Sequence, residues 1–213
     1  FEIIAHLIAD GSVNKNGIPM YTNSNKELIN NFQKLVRDVF GNTETRVYKR
    51  DSKVYQCTAS KVIPDLIKSF YTIDFNSLTA RLPSRIFELP EKYFCAVIRA
   101  IVDDEGSIAD NRISIKMKNK YLMLQIEKTL INVFGEDSVG SLVKRKDACW
   151  DISIKSNYLK EFDKKIGLIH SRKKNDLKYA IRKSGYRKNR NKEDLWETKI
   201  RILKMLVDKP TTI

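Results

Sequence analysis

Two copies of one ten-residue pattern constrain the fold of this chain more than any other feature of its sequence. The copies are IIAHLIADGS at residues 3–12 and IRAIVDDEGS at residues 98–107. Each is a mostly apolar run with a small residue in its middle, which ends in a carboxylate, a glycine and a serine. The runs predict two helices, and we expect each glycine to end its helix in the left-handed backbone conformation.

The final carboxylate of each copy, Asp10 or Glu105, is therefore predicted to lie at a helix C-terminus. That end of a helix carries partial negative charge and unpaired carbonyl oxygens, which is unfavourable for an anion. A hard divalent cation would resolve the conflict, because it prefers oxygen ligands. A single acid in this position is more simply explained as solvated beyond a buried helix, but two matched copies favour the cation.

The similarity between the two halves continues past the motif. Asn25-Lys26-x-Leu28 corresponds to Asn119-Lys120-x-Leu122, and Val39-Phe40-Gly41 corresponds to Val133-Phe134-Gly135. The spacing between equivalent positions stays near 95 residues, which indicates two homologous units of about that length.

Within each unit, hydrophobic spacing and turn residues predict the order helix, strand, strand, helix, strand, strand, helix. The predicted fold class is α+β: two αββαββα repeats with antiparallel sheets, followed by a C-terminal helical segment. We assign residues 1–75 to the first repeat, 76–92 to a proline-containing linker, 93–185 to the second repeat, and 186–213 to a basic linker and the start of a helix-turn-helix domain. A plain packing helix is the alternative for the last segment.

The charge balance indicates which kind of partner the protein binds. The 213 residues include 40 basic and 26 acidic side chains, which gives a formal net charge of +14. This excess favours a polyanionic partner, and nucleic acid is expected rather than an acidic membrane. The apolar runs fall short of the ~18 residues of a transmembrane helix. Three widely spaced cysteines and two histidines argue against zinc and favour an intracellular location.

The duplicated motif, its spacing and the Asn-Lys-x-Leu helix start resemble the LAGLIDADG homing endonuclease family in its single-chain, two-repeat form. The resemblance covers roughly residues 1–185. It implies a monomer with pseudo-twofold symmetry, in which the motif helices pack side by side and two antiparallel sheets form a saddle over double-stranded DNA. Ala5 and Ala100 stand where the two helices would meet. Since the chain begins with Phe1 rather than methionine and the first motif copy starts almost at residue 1, we expect it to have been cut from a longer protein.

The resemblance also implies an Mg²⁺-dependent (or Mn²⁺-dependent) endonuclease that cuts both DNA strands and leaves short 3′ overhangs. Asp10 and Glu105 would be both catalytic residues and metal ligands. Lys173 is the best match for a lysine that the family places near the end of each half, although its basic neighbours are rivals. The first half has no convincing match near Asn76-Ser77.

The strands of the saddle would contact DNA, because two-stranded ribbons that carry Asn, Lys and Arg suit major-groove readout. The family often has a polar residue just before the second helix of each half, and Asn23 and Lys118 are the nearest matches. The other candidates are Asn14, Lys15, Asn16, Arg46, Lys49, Arg50 and Lys53 in the first half, and Asn111, Arg112, Lys116, Lys144, Arg145 and Lys146 in the second.

A non-cleaving nucleic-acid binder on the same fold is the alternative function, either a transcription regulator with a helix-turn-helix domain or an intron maturase that binds RNA. Retention of both motif acids favours the enzyme, because a pure binder does not need them. The C-terminal segment favours the regulator. The sequence leaves open whether the parent gene lies in an intron, encodes an intein or stands alone. His6, inside the first motif, is interpreted as a core or interface residue.

Overall fold

The two motif helices, α1 (Glu2–Ile8) and α4 (Glu91–Glu105), pack directly against each other where the two repeats meet. A computed structural model describes residues 1–51, 53–109 and 111–184. Ala5 and Ala100 are both fully buried, as expected if small side chains allow the helices to approach closely. At the N-terminal end of α1, Arg99 forms an ion pair with Glu2 across this contact, with 2.6 Å between Nη2 and Oε2.

The first repeat has the predicted order of helices and strands. After α1 come β1 (Gly11–Val13), β2 (Pro19–Asn23), α2 (Lys26–Phe40), β3 (Thr45–Asp51), β4 (Val54–Ala59) and α3 (Val62–Phe70). The strands form one antiparallel sheet in the order β1-β2-β4-β3. Asn25 begins α2 as its N-cap, because its side chain accepts a hydrogen bond from the Glu27 amide at 2.7 Å.

The second repeat has the same order. After α4 come β5 (Gly106–Ala109), β6 (Arg112–Met117), α5 (Lys120–Phe134), β7 (Val143–Lys144), β8 (Trp150–Ile154) and α6 (Leu159–Lys165). Its antiparallel sheet has the order β5-β6-β8-β7, which is the arrangement of the first sheet. The prediction of two αββαββα repeats is confirmed. Residues 171–184 form a further helix, α7.

The segment between the repeats is packed against the second one. It contains a short 3₁₀ helix, Ser84–Glu88, and the buried residues Ala80 and Leu82. Gln125 on α5 exchanges two hydrogen bonds with the backbone of Leu82, at 2.8 and 2.9 Å. Asn119 donates to the carbonyl oxygen of Ala80 at 2.8 Å while it caps α5. Asn119 belongs to the Asn-Lys-x-Leu helix start that occurs in both repeats, and it also holds the connecting segment against the second repeat.

The prediction that the motif glycines end their helices in the left-handed conformation is wrong. Gly106 has φ −75° and ψ 148°, and α1 already ends at Ile8 with Ala9 as its C-cap, so neither motif glycine supplies a left-handed cap. Lack of space explains the glycines instead. A Cβ atom on Gly106 would lie 2.5 Å from the carbonyl oxygen of Val102, and one on Gly11 would lie 2.6 Å from the Cα atom of Leu7.

Residues 185–213, with the predicted basic linker and helix-turn-helix start, lie outside the described residues. In the part of the chain that the structure describes, no helix is long and apolar enough to cross a membrane.

Candidate nuclease site

The C-terminal ends of α1 and α4 bring four carboxylates together. Asp10 lies two residues beyond α1, while Asp103, Asp104 and Glu105 form the last turn of α4. The charges of Asp104 and Glu105 both act on Asp10. The structure therefore places the two acids singled out from the sequence within electrostatic range of each other, with two further acids beside them.

Asp10 is the most strongly perturbed of these acids. Its burial and the neighbouring charges of Asp104 and Glu105 raise its pKa to about 7, although Lys173 and His6 act in the opposite direction. Its Oδ2 atom accepts a hydrogen bond from Nδ2 of Asn23 at 2.9 Å. The Asp10 carboxyl therefore holds its proton to a higher pH than an ordinary aspartate does.

Glu105 differs from Asp10 in its contacts with the protein. Burial raises its pKa and the charge of Asp104 adds to this effect, while Lys173 opposes it. Its carboxylate has no hydrogen-bond partner within residues 1–51, 53–109 and 111–184. The two equivalent acids therefore differ in how firmly the protein fixes them.

Lys173, on α7, is buried and only 8% exposed. Its Nζ atom donates to the carbonyl oxygens of Val102 at 3.0 Å, Asp103 at 2.7 Å and Asp104 at 3.2 Å. Burial lowers its pKa, and the surrounding acids counteract this. An ammonium group has three N–H donors, so Lys173 is engaged as a cap on the C-terminus of α4. It lies beside the acids, and its protons are bonded to backbone carbonyls.

Asp103 and Asp104 were missed by the sequence reasoning as site residues. Asp103 is 1% exposed and accepts hydrogen bonds from the backbone amides of Ile169 and His170, at 3.0 and 3.1 Å. It therefore anchors the segment that leads into α7 and to Lys173. The signal was present in the sequence, because the second motif copy has two extra acids where the first has Ile8 and Ala9.

Asp104 joins the two repeats. Its side chain is fully buried, with Oδ2 2.8 Å from Nδ1 of His6. Its Oδ1 atom accepts a hydrogen bond from the Tyr21 hydroxyl at 2.5 Å and lies 3.5 Å from Nδ2 of Asn23. Burial alone would lower the pKa of His6, but the adjacent Asp104 carboxylate outweighs it and the pKa is raised. All three partners come from the first repeat.

The donor atoms of the site fit a divalent metal ion. Asp10 and Glu105 offer carboxylate oxygens, the atoms that Mg²⁺ prefers. Burial is the main cause of the raised pKa of Asp10, and the negative charges of Asp104 and Glu105 add a repulsion that a cation would relieve. Within the described residues, no group of three or more His, Cys, Asp or Glu side chains is arranged to hold a metal ion. Further ligands would therefore come from water and substrate, as is usual for Mg²⁺.

A cleft of about 460 Å³ opens beside these acids. Its walls combine acids, small polar side chains of the β2 end and basic side chains that lead into α7. The lining residues are Asp10, Thr22, Asn23, Ser24, Val54, Asp103, Asp104, Gly106, His170, Arg172 and Lys173. Arg172 is exposed, so it is a basic side chain of this cleft that remains free to reach a phosphate.

One face of the first sheet is covered by α2, and the other is called the open face here. Strand register determines which predicted DNA-binding residues lie on the open face. Tyr21 pairs with Cys57, and both are buried on the face that α2 covers. Because side chains alternate along a strand, the open face carries Ser12, Met20, Thr22, Arg46, Tyr48, Gln56 and Thr58. Lys49 shares the covered face with Val47, so it does not join Arg46. The uncharged members were not predicted, although strict alternation could have found them.

The second sheet has an open face of the same kind, with Ser107, Arg112, Ser114, Lys116, Asp151 and Ser153. Two predicted DNA-binding residues form ion pairs there. Lys116 contacts Asp147 at 2.5 Å, and Arg145 donates from Nε and Nη2 to Oδ2 of Asp151 at 2.8 and 2.5 Å. Lys144 falls on the opposite face because it pairs with Trp150.

Two predictions for the strand ends differ from what the structure places there. Asn111 is only 6% exposed and has φ 60°, so it is a buried turn residue. Lys118 is exposed just beyond β6, but the position equivalent to Asn23 is Met117, which is 7% exposed. The polar side chain at the end of β2 thus has an apolar counterpart at the end of β6.

The remaining candidates lie in the turns. Asn14 builds the β1–β2 turn, because its Oδ1 atom accepts from the amides of Asn16 and Ile18 at 2.9 and 3.0 Å. Lys15, Asn16, Lys53 and Lys146 are exposed in the hairpin turns, and Arg50 is exposed near the end of β3.

No protein-family model matches the chain. A 192-residue stretch of glutamine–fructose-6-phosphate aminotransferase from Methanocaldococcus jannaschii is 28% identical, covering 85% of the chain and 17% of that protein. A 172-residue stretch of an A-type ATP synthase component from Methanopyrus kandleri is 22% identical, covering 80% of the chain and 16% of that protein. The chain spans about a sixth of the length of these curated relatives.

Among solved structures, the homing endonuclease I-DmoI in complex with DNA and Mn aligns with a TM-score of 0.56 at 17% identity, over 78% of this chain and 96% of that one. Full-length WhiA from Thermatoga maritima aligns with a TM-score of 0.55 at 14% identity, over 94% of this chain and 67% of WhiA. The N-terminal LAGLIDADG domain of WhiA also aligns. The fold of this chain is the LAGLIDADG fold in its two-repeat form.

Proposed function

We propose that this chain is a site-specific endonuclease that cuts both strands of double-stranded DNA with Mg²⁺ or Mn²⁺ and leaves short 3′ overhangs. The observation that carries the proposal is the pair of carboxylates, Asp10 and Glu105, that the two repeats bring together at the ends of α1 and α4. Burial, and then the negative charges of Asp104 and Glu105, raise the pKa of Asp10. The arrangement is therefore costly, and a protein that only binds DNA gains nothing from it.

The residues have separate roles in this proposal. Asp10 and Glu105 would hold the ions, which when bound activate water and stabilise the leaving oxygen. Lys173 places a fixed positive charge beside both acids while it caps α4. Asn23 fixes the orientation of Asp10. Arg172, exposed in the same cleft, would contact a phosphate of the bound DNA.

The two open sheet faces would lie on the duplex. Each is the face of a four-stranded antiparallel sheet and carries polar and basic side chains, and β-strands are among the elements that read the major groove. With a net charge of +14, the protein would bind DNA largely through phosphate contacts. For roughly six to eight such contacts, log K should fall with log salt with a slope of about −5 to −7.

The curated relatives support an origin as an inserted segment. An aminotransferase and a component of an ATP synthase have different named activities, yet each shares with this chain a stretch that is only 17% or 16% of its length. Such a stretch does not account for either activity. We propose that the chain is a mobile endonuclease of this inserted kind, as in an intein, that acts inside the cell as a monomer.

A non-cleaving nucleic-acid binder is the second candidate, since WhiA has the same fold. Two observations favour it. All three N–H donors of Lys173 are bonded to backbone carbonyls, and Met117 replaces the polar counterpart of Asn23. A maturase that binds RNA is the other form of this candidate.

The test starts with selection of duplex sites from random or genomic DNA in Ca²⁺, which should permit binding without cutting. The selected duplex is then moved to Mg²⁺, and both labelled strands are run on a sequencing gel. Paired nicks with short 3′ overhangs, lost in Asp10→Asn and in Glu105→Gln, would establish the endonuclease. A tightly bound duplex that stays intact would establish the binder instead.

A further inference from the structure

A buried polar cluster consists of Asp104, His6, Tyr21 and Asn23. The equivalent positions of the other repeat do not form such a cluster. The motif copies align Asp104 with Ala9 and His6 with Ile101. The strand pairs Gly11–Tyr21 and Gly106–Ile115 align Tyr21 with Ile115, and two residues later Asn23 with Met117. All four polar members therefore have apolar counterparts, so the second repeat cannot build the same cluster.

The hydrogen bonds of this cluster converge on two acids, Asp104 and Asp10, and Asn23 contacts both. His6 and Tyr21 hold the Asp104 carboxylate at 2.8 and 2.5 Å. Nδ2 of Asn23 lies 3.4 Å from the Tyr21 hydroxyl and 3.5 Å from Asp104, and it donates to Asp10 at 2.9 Å. The Oδ1 atom of Asn23 accepts from the Asn25 amide at 2.9 Å, so this side chain has no freedom to turn.

The aromatic packing makes the cluster rigid. Tyr21 stacks on Phe32 with 4.9 Å between ring centroids, and its ring lies 4.8 Å from that of His6. Nε2 of His6 is buried and has no partner within the described residues. The polar contact of this ring in the described part of the chain is therefore the one that holds Asp104.

We propose that Asp104, held by Tyr21 and His6, is a positioning residue that orients Asn23 and thereby fixes the carboxylate of Asp10. Glu105 lacks such support in the described part of the chain, so the two halves of the site are unequal. This inference rests on the proposed function. Partners of metal-ligating side chains affect metal affinity or activity about 10- to 100-fold when they are removed.

The test uses two variants that disturb the cluster and one that does not. Tyr21→Phe removes one hydroxyl and keeps the buried ring, and Asp104→Ala installs the residue of the first motif copy. Tyr71→Phe, at a tyrosine that packs on Phe1 away from the site, is the matched control.

Two quantities are measured for each variant. One is the cleavage rate of each strand of a selected duplex labelled with a different fluorophore on either strand. The other is the affinity of the protein–DNA complex for Ca²⁺ by calorimetry. Tyr21→Phe and Asp104→Ala should slow the same single strand about 10- to 100-fold and weaken Ca²⁺ binding similarly. Tyr71→Phe should match the wild type in both.

Equal slowing of both strands, in step with lost thermal stability, would show that the cluster is only structural and would overturn the proposal. A wild-type protein that cuts no selected duplex would refute the endonuclease, and Ca²⁺ affinity would then decide the positioning role. Unchanged affinity in Tyr21→Phe would refute that role as well.

Discussion

Nδ1 of His6 lies 2.8 Å from Oδ2 of Asp104, a residue 98 positions further along the chain, and neither side chain is exposed to solvent. This pair links the first motif helix to the second at the point where the two repeats meet. A buried pair of this kind is costly to break from one side, because an uncompensated charge remains. Replacement of both partners by apolar residues often costs little.

The first prediction concerns this pair. His6→Ile, which copies Ile101 of the second repeat, should lower the free energy of unfolding by about 3 kcal/mol because Asp104 stays buried without its partner. The double variant His6→Ile with Asp104→Ala should recover most of that loss. Urea denaturation of the wild type, both single variants and the double variant gives the coupling energy directly. Additive effects would mean that the two side chains do not act as a pair.

The second prediction is a pH dependence from Asp10. Its pKa is about 7 in the folded protein, against 3.8 without the fold. The folded state therefore binds more protons than the unfolded state between these values, and stability falls as pH rises from 4 to 7. Asp10→Asn removes this penalty. Its melting temperature should exceed that of the wild type by an amount that grows over this range and reaches roughly 5 °C above pH 7.

The melts are run in EDTA, with Asp38→Asn, an exposed acid on α2 that pairs with Lys34, as the control for loss of a surface charge. Saturating Ca²⁺ should reduce the difference between the wild type and Asp10→Asn, because a bound cation neutralises the carboxylate. A difference that stays constant from pH 4 to 9 would contradict the raised pKa.

The third prediction concerns Lys173. Lys173→Met keeps an unbranched side chain, one heavy atom shorter, and removes the ammonium group that caps three carbonyl oxygens of α4. The loss of charge-assisted hydrogen bonds in a buried position should destabilise the protein by about 2–4 kcal/mol. Lys174→Met, at the exposed neighbouring position, should change stability by less than about 0.5 kcal/mol. Equal unfolding midpoints for the two variants would disprove the capping role.

The fourth prediction separates the two faces of the first sheet. Arg46 lies on the open face and Lys49 on the covered one, three residues apart on the same strand. If the open face contacts DNA, Arg46→Ala should weaken binding about tenfold or more and reduce the salt slope by about 1. Lys49→Ala should do so far less. Fluorescence anisotropy at several salt concentrations measures both, and a larger effect at Lys49 would place the duplex elsewhere.

The duplicated motif was enough to predict the repeat architecture, because local signals agreed with each other. Asn25 and Asn119 cap their helices as their positions indicated, and alternating residues formed the expected hairpins. The reason given for the motif glycines was wrong. A sequence shows that glycine is required at Gly11 and Gly106, but it does not show whether φ or a close backbone contact imposes the requirement.

The sequence by itself determined the fold class, the two repeats and the two acids, because these follow from hydrophobic period, turn residues and a repeated spacing. Only the tertiary structure decided what surrounds those acids. The cluster of His6, Tyr21 and Asp104 draws on three separate segments, and Lys173 reaches α4 across about 70 residues of chain. Such contacts depend on how helices and sheets pack in three dimensions, which local patterns along the chain do not record.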